Sequence, residues 1–437
     1  LHLSIRRQRQ MCIRDSYWID EPGNDAMWFW SENHALMFHT CQLLAGELFP
    51  DEVFTNSGLT GRQMQAKAKN MLYDWFVTFR KEGFTEWNSS PYLPIDTLGF
   101  GSLYAFAQDP AMRELGREGM DFAYYLLAVH SQQGIFASSS GRTYIKEQFG
   151  NWSNCPSGLS WIGYGYGVPG HAGKGITSYC LSDYEPPKEF AQWFSIPRGK
   201  EMICQTTQGN DGYVDLYTYK TADYMMTSAN DFHPGEPGHQ ENPFQLTFNA
   251  VAQLWVTHPG ERVLFGAARP SYWAGNGTLP KVNQYKAFAG LIYDIAPEHP
   301  VDFTHLYLPS MEFDRCEVEG KWAFVQLGSA YAAVYCSNGM RMQDFGSNKD
   351  RECIAEGRRC IWLVRAAQAD EFAAFEDFKA AMRGAALDAD AEGRRYRFVD
   401  PVYGELRCQW GETLYVNDVP MQYSGFDNYG KLTMQEK

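Results

Sequence analysis

The spacing of apolar residues changes along this chain, from a helical period in the first third to a strand-like alternation after about residue 200. In the first third, apolar residues recur at three- and four-residue steps, as on one face of a helix. The clearest stripe contains Met64, Ala68, Met71, Leu72, Trp75, Phe76 and Phe79. Later segments such as YVDLYTYKT (213–221) alternate between apolar and polar residues. This order predicts an α+β fold in which helices precede strands.

Four helices alternating with loops are predicted before residue 132. The first ends before Pro50 and the second before Gly83, and PIDTLGFGSLYAFA (94–107) forms a short third helix. The fourth begins with Asp109 as its N-cap and Pro110 in its first turn. Sequential helix hairpins of this kind predict a bundle, a solenoid or a toroid.

The second half carries short strand patterns bounded by turn residues. They lie in VLFGAARP (263–270), KWAFVQLGSAYAAVYC (321–336), CIWLVRA (360–366) and GELRCQWGETLYVNDVP (404–420). One helix interrupts them at 370–382, where Phe372, Phe375 and Phe378 share a face. The spacing of these strands predicts an antiparallel β-sandwich.

A stretch between the two patterns, residues 134–200, is rich in Gly, Ser and aromatic residues and has no apolar period. A loop of this length is uncommon in a compact domain unless it has a function. We therefore predict a helical domain over 17–150, a linker and lid over 151–200, and a β domain over 201–437.

The first residues of the chain are predicted not to be native. The segment RRQRQMCIRDS (6–16) reverse-translates into a transposase adapter used to build sequencing libraries. We exclude residues 1–16 from the fold on that ground and expect the natural N-terminus to be missing. The helical domain is therefore expected to be truncated.

Charge and composition restrict the partners. Without the four arginines and one aspartate of residues 1–16, the formal net charge changes from −14 to −17. So acidic a chain is not expected to bind nucleic acid or an anionic membrane over a broad surface. No apolar run reaches the roughly 20 residues that a membrane helix needs. Outside residues 1–16 there are nine cysteines, and none forms a CxxC pair. This pattern favours buried free thiols over a disulfide framework. The location of the protein, cytoplasmic or periplasmic, stays open.

The densest polar cluster lies in WFWSENHALMFH (28–39). Ser31 can cap the helix, which places Glu32, Asn33 and His34 in its first turn. Backbone N–H groups and the positive end of the helix dipole suit an anion there. A plain helix cap with an incidental histidine accounts for the same residues.

Two further clusters belong to the helical part and its continuation. Glu86, Trp87 and Tyr92 lie in GFTEWNSSPYLPID (83–96), although its turn-forming NSSP explains several of these residues without a function. Arg142 and Tyr144 occupy alternate positions of SSSGRTYIKEQ (138–148) and therefore point to one side of an extended segment. A solvated edge is the alternative for that segment.

Candidate residues in the β half follow turn-rich segments. They are His233, His239, Gln240, Trp273 and Asn276. No GxGxxG, P-loop, HExxH, GxSxG or EF-hand pattern stands out, which argues against nucleotide, zinc-protease and serine-hydrolase chemistry. We predict no metal and no cofactor.

The order of these motifs resembles one superfamily. SENH on a helix, a downstream tyrosine, a Gly-rich crossover and then DYMMTSANDFHPG…HQ (223–240) are similar to polysaccharide lyases of the heparinase and alginate-lyase type. Those enzymes join an α/α toroid to an antiparallel β-sandwich. The resemblance implies a bacterial member with a truncated toroid, acting on a poly- or oligosaccharide; it says nothing of oligomeric state.

The resemblance also implies roles. Asn33 and His34 would neutralise the uronate carboxylate, Tyr92 would act as general acid and base, and His239 would complete the site with His233 behind it. Hydrogen bonds to the carboxylate would stabilise the charge that develops during β-elimination. Substrate contacts are expected from Glu32, Glu86, Trp87, Arg142, Tyr144, His233, Gln240, Trp273 and Asn276. Glu32 departs from the pattern, because it would repel an anion unless it turns away.

Two other functions remain open at this point. A glycoside hydrolase on the same scaffold would use paired carboxylates, for which Glu32, Glu86 and Asp96 are available. A non-catalytic glycan-binding protein would use Trp87, Trp161 and Trp273 as stacking platforms.

Overall fold

The fold was examined in a computed structural model that describes residues 31–149, 154–169, 174–209, 213–264 and 266–437. The predicted adapter segment lies outside the described residues. The described chain is a mixed α and β protein, with a helical region followed by antiparallel sheets. The α+β fold class is therefore confirmed at that level.

Four helices form the first region, as predicted. They are α1 (Glu32–Leu48), α2 (Gly61–Glu82), α3 (Leu93–Phe106) and α4 (Pro110–Val129). A capping box at Thr60 begins α2, and Gly83 ends it with a φ of 67° that disfavours a side chain. Asp109 accepts a hydrogen bond from the Ala111 N–H at the start of α4. No helix in the described residues is long and apolar enough to cross a membrane.

The predicted linker contains short helices. The segment from residue 145 to residue 194 holds α5 (Ile145–Gln148), α6 (Ser157–Tyr164), α7 (Ile176–Cys180), a 3₁₀ turn (Lys188–Phe190) and α8 (Ala191–Phe194). Leu159, Tyr184 and Phe194 are buried in the same core as α4. The sequence shows no period here because each helix has at most eight residues, which is too short for an apolar stripe to repeat.

Twenty-two strands and one more helix, α9 (Phe375–Gly384), make up the rest of the described chain. β1 (Ser131–Gln132) pairs with β2 (Ile135–Phe136). The strands of a nine-stranded sheet are, in spatial order, β14 (Arg341–Met342), β15 (Glu352–Glu356), β10 (Phe303–Tyr307), β7 (Gln253–Thr257), β6 (Phe244–Thr247), β5 (Met225–Asn230), β4 (Val214–Lys220), β3 (Lys200–Gln208) and β22 (Lys431–Glu436).

Two smaller sheets contain the remaining strands. The six-stranded sheet has the order β11 (Arg315–Glu319), β12 (Trp322–Leu327), β13 (Ala330–Cys336), β16 (Arg359–Gln368), β9 (Phe288–Asp294) and β8 (Lys281–Tyr285). The five-stranded sheet has the order β17 (Leu387–Asp390), β18 (Arg395–Asp400), β19 (Gly404–Gln409), β20 (Tyr415–Val416) and β21 (Val419–Pro420). All the pairs are antiparallel.

One predicted strand is wrong. Residues 263, 264 and 266–270 of VLFGAARP form no strand. Pro270 lacks the N–H that a ladder needs, and Gly266 has no side chain to pack, so the segment runs as a loop. That loop carries Arg269 toward the site described below.

The two largest hydrophobic cores of the described chain lie in the sheets and in the helical region. The larger contains residues of both the nine- and the six-stranded sheets, such as Tyr219 of β4 and Leu291 of β9. The helical core includes Met202 and Cys204 of β3, so the helices and the first sheet bury one another's apolar surface. The junction brings loops of the helical region against loops of the sheet.

Candidate active site

The candidate site is assembled from three chain segments that hydrogen-bond side by side. The Gly141 N–H donates to the Trp87 carbonyl at 2.8 Å, and the Ser89 hydroxyl donates to the Arg142 carbonyl at 2.9 Å. On the other side, the Thr143 N–H donates to the Gln240 carbonyl at 3.1 Å. The extended segment around Arg142 therefore lies between the loop that precedes α3 and the loop that precedes β6.

A tyrosine pair and an arginine form the centre of the site. Tyr92 precedes α3 and Tyr144 precedes α5, and their hydroxyl oxygens are 2.9 Å apart. Arg142 Nη2 lies 3.5 Å from the Tyr92 hydroxyl and 3.3 Å from that of Tyr144. Arg142 Nη1 also forms an ion pair with Glu86 at 3.2 Å, which fixes the guanidinium between the carboxylate and the tyrosines.

The two tyrosines have different pKa values. Burial, with the hydrogen bond to Tyr144 adding to it, raises the pKa of Tyr92 to about 12. Burial alone would raise that of Tyr144, but hydrogen bonds from Tyr92 and Arg142 and the charges of Arg142 and Arg269 together lower its pKa. Tyr144 is therefore the tyrosine that loses its proton more readily, and Tyr92 stays a hydrogen-bond donor.

Arg269 is a functional candidate that the sequence did not reveal. Its exposed guanidinium lies 5.7 Å from the centre of the Tyr144 ring. Within the described chain it has neither a hydrogen bond from its side chain nor an ion pair, so its charge remains available to an anion. Arg269 lies in VLFGAARP (263–270), whose pattern predicted a strand, so the sequence did not mark Arg269 as a site residue.

His239 lies in the electrostatic field of the same two arginines. Burial lowers the pKa of His239, and Arg142 and Arg269 lower it further, whereas Glu241 opposes them. A neutral imidazole at this place can accept a proton. His233, in contrast, is exposed and lies 3.4 Å from Glu236, at the far end of the same loop.

The first turn of α1 contributes through Glu32. Its carboxylate accepts the Thr85 N–H at 2.7 Å and the Glu86 N–H at 3.3 Å. Asn33 and His34 both hydrogen-bond to Ser31. In the part of the chain that the structure describes, no hydrogen bond joins either of these two side chains to the tyrosine pair.

Glu32 and Glu86 also line a cavity of about 300 Å³ beside the site, together with Ser31, Ala35, Trp75, Thr78, Phe79, Gly83 and Thr85. Burial, with the neighbouring Glu86 charge adding to it, raises the pKa of Glu32 to about 7, although the two backbone N–H groups oppose the shift. Burial, then the charges of Glu32 and Glu86, raises the pKa of the buried Asp96 well above its ordinary value. Both shifts favour the protonated forms of these carboxyls.

Several residues expected to contact substrate are buried. Trp87 packs against Phe232, and Trp273 stacks on His305 with ring centres 4.1 Å apart; each is 1% exposed and offers no open ring face. The two expectations of a stacking platform are therefore corrected, because both rings complete aromatic clusters. Trp161, on α6, is half exposed.

Asn276 and Gln240 are also buried, and they hold loops in place. The Asn276 carboxamide accepts from the His258 N–H at 2.9 Å and the Tyr293 hydroxyl at 3.0 Å, and it donates to the Glu241 carbonyl at 3.1 Å. Gln240 Nε2 donates to the Thr143 carbonyl at 2.8 Å. Their expected contact with substrate is corrected to support of the loop that carries His239.

No group of three His, Cys, Asp or Glu side chains among the described residues is arranged to hold a metal ion. No protein-family model matches the chain, and no curated protein is significantly similar to it. Function is therefore inferred from the geometry of the site.

Proposed function

We propose that this protein is a polysaccharide lyase that cleaves a uronate-containing glycan by β-elimination, with Tyr144 as the base. The observation that carries the proposal is the tyrosine pair, in which Arg142 and Arg269 lower the pKa of Tyr144 while that of Tyr92 is raised. Tyrosine ordinarily has a pKa near 10, so a tyrosinate base needs such positive charge beside it.

Each tyrosine performs one proton transfer in the proposed elimination. The Tyr144 oxygen takes the proton from the carbon next to the uronate carboxylate, and the electron pair of that C–H bond forms the new C=C bond. The bond to the glycosidic oxygen breaks, and Tyr92 gives its proton to that leaving oxygen. The proton on Tyr144 then passes to Tyr92 across their 2.9 Å hydrogen bond, which restores both groups.

The substrate carboxylate is assigned to Arg269. Negative charge develops on that carboxylate as the proton leaves, so a cation fixed beside the base stabilises the transition state. Arg269 has an unpaired guanidinium next to Tyr144, whereas Asn33 and His34 hydrogen-bond within the first turn of α1. His239, near both arginines, is assigned a supporting role at the same carboxylate.

Membership of the proposed family implies an α/α toroid joined to a β-sandwich. The four helices α1–α4 and their hairpin connections support part of an α/α toroid. The core shared by the nine- and six-stranded sheets supports a β-sandwich.

A second candidate, glycoside hydrolysis, is favoured by one observation. The pKa of Glu32 is raised to about 7, which suits a general acid, and Glu86 and Asp96 lie in its electrostatic field. Glu86 would be the base: burial raises the pKa of Glu86, and the charge of Arg142, its ion-pair partner, opposes that shift.

One assay separates the two candidates. Wild-type protein, Tyr144→Phe and the exposed control Tyr73→Phe are incubated with a panel of uronate-containing glycans, and the ultraviolet absorbance of unsaturated uronate is followed together with reducing ends. We expect absorbance from the wild type and the control and none from Tyr144→Phe. Reducing ends without absorbance would instead establish hydrolysis.

A further inference from the structure

A second cavity lies at the β14–β15–β10 end of the nine-stranded sheet. It has a volume of about 330 Å³ and is lined by Phe149, Trp273, Tyr307, Asn348 and Arg351, with Val251, Glu312 and Ser347. This volume falls in the range of small-ligand sites. None of the roles assigned above uses it.

Arg351 supplies a free charge at this cavity. Among the described arginines, only Arg269 and Arg351 have neither an ion pair nor a hydrogen bond from the guanidinium. Each of the others is held by a carboxylate, a carbonyl or another side-chain oxygen, as Arg142 is by Glu86. An unpaired guanidinium beside a cavity is a ready partner for a carboxylate or a sulfate.

The rest of the lining suits a sugar. The rings of Phe149, Trp273 and Tyr307 meet edge to face, with centres 4.9 Å apart for Phe149 and Tyr307 and 5.7 Å apart for Trp273 and Tyr307. Because the faces of Trp273 and Tyr307 are covered by His305 and Trp255, these two rings contribute apolar edges to the cavity wall, which can contact the C–H groups of a sugar. Glu312, at its exposed edge, can accept hydrogen bonds from sugar hydroxyls.

The polar end of the cavity is fixed in advance. Asn348 donates to Glu352 at 2.8 Å and accepts from Trp273 Nε1 at 3.4 Å. Glu352 in turn is held by the His305 ring and the Tyr272 hydroxyl, each at 2.6 Å. A carboxamide held in this way needs no rearrangement to meet a ligand.

The cavity continues the two segments that form the catalytic site. Phe149 follows Tyr144 after the single turn of α5, a rise of roughly 7 Å for five residues. Trp273 follows Arg269 by four residues on the other segment. The two segments that carry Tyr144 and Arg269 therefore also supply Phe149 and Trp273 to the lining of this cavity.

We propose that this cavity is a subsite for a second anionic sugar residue of the substrate, whose carboxylate or sulfate pairs with Arg351. The assignment of the ligand as part of the substrate rests on the proposed function. It makes the substrate an oligo- or polysaccharide with at least two anionic residues.

Binding without turnover tests the subsite. Affinity is measured by calorimetry on three proteins: Tyr144→Phe, Tyr144→Phe with Arg351→Gln, and Tyr144→Phe with the control Arg383→Gln. The probes are three tetrasaccharides: one from alginate, one from heparan sulfate, and neutral cellotetraose. We expect Arg351→Gln to weaken binding of an anionic probe about tenfold or more, because a charge-assisted hydrogen bond is lost. Arg383→Gln removes a surface ion pair with Glu319 and a cation–π contact with Phe324, neither of which belongs to the cavity, and should leave binding unchanged.

The outcomes are distinct. If Arg351→Gln weakens binding of both anionic probes, the group that pairs with Arg351 is a carboxylate. If it weakens binding of the heparan sulfate probe alone, that group is a sulfate. Equal affinities of the Arg351 and Arg383 variants, or no binding of any probe, would overturn the subsite even where the wild type shows elimination. Arg351-dependent binding without elimination would leave the subsite standing and refute the lyase. A melting temperature unchanged by Arg351→Gln confirms that the variant is folded.

Discussion

The hydroxyl oxygens of Tyr92 and Tyr144 lie 2.9 Å apart, yet the surroundings move their pKa values in opposite directions. Burial raises the pKa of Tyr92, and its hydrogen bond to Tyr144 adds to that shift. At Tyr144 the same hydrogen bond, a second one from Arg142 and the charges of Arg142 and Arg269 outweigh burial. One hydroxyl is thus prepared to accept a proton and the other to give one. This division of roles underlies the proposed elimination.

Replacement of Tyr92 by Phe removes both the leaving-group acid and the hydrogen bond that lowers the pKa of Tyr144. We expect kcat/KM to fall by about 10²- to 10⁴-fold, as for the loss of a positioned acid. The limb of the pH profile that reports the base should also move to higher pH. A profile unchanged in position would contradict the donation from Tyr92 to Tyr144.

Arg269 is expected to act on the base and on the substrate. Its charge lowers the pKa of Tyr144, so Arg269→Gln should raise that pKa and shift the rise of kcat/KM to higher pH. The shift should be smaller than for Arg142→Gln, because Arg142 also donates a hydrogen bond to Tyr144. KM for an anionic glycan should rise as well, whereas Arg62→Gln, a surface change, should alter neither quantity.

Glu32 makes stability depend on pH. Its pKa is raised from 4.5 to about 7, so the folded state binds the proton more tightly than the unfolded state does. Its favourable contribution is present below about pH 4.5 and is lost as the pH rises through about 7. Glu32→Gln should flatten the fall of the melting temperature over this interval, and the exposed Glu298→Gln should not. Equal slopes for the two variants would rule out a buried, protonated Glu32.

Asn276→Ala tests the support of the His239 loop. The change leaves the His258 N–H, the Tyr293 hydroxyl and the Glu241 carbonyl without their partner. Unfolding in urea should show a loss of roughly 1–3 kcal/mol for buried groups left unsatisfied. Asn338→Ala, at an exposed carboxamide, serves as the control. A loss no larger than that of the control would show that Asn276 does not hold the loop.

Local signals predicted the elements well. Gly83 and Pro50 predicted where two helices end, and Asp109 predicted where a third begins. Each of these signals depends on residues within one helical turn, and the structure has helix ends at these places. The hairpin around Gly328 likewise follows from alternation on both sides of a turn, and its strands are β12 and β13. Only nearby residues determine such features, which is why the sequence displays them.

Residues whose role depends on distant partners were predicted less well. Trp87 and Trp273 look like glycan platforms in the sequence, but their burial results from Phe232 and His305, which are remote in the chain. Arg269 was missed because only the packed structure brings it over the Tyr144 ring. The meeting of Tyr92 with Tyr144 spans 52 residues, and no local period encodes it.

The most direct test of the central claim follows the oxygen of the solvent. A uronate-containing glycan that the protein cleaves is digested in oxygen-18-labelled water. The masses of the product fragments, and of their new ends, are measured by mass spectrometry. Elimination predicts products that have gained no solvent oxygen at the cleaved bond and whose non-reducing end is unsaturated, with both features lost in Tyr144→Phe. The products are reduced with borohydride immediately after a short digestion, which stops exchange of the anomeric oxygen with solvent. Stoichiometric labelled oxygen at the new reducing end, with a saturated non-reducing end, would contradict elimination and assign the chemistry to Glu32, Glu86 and Asp96.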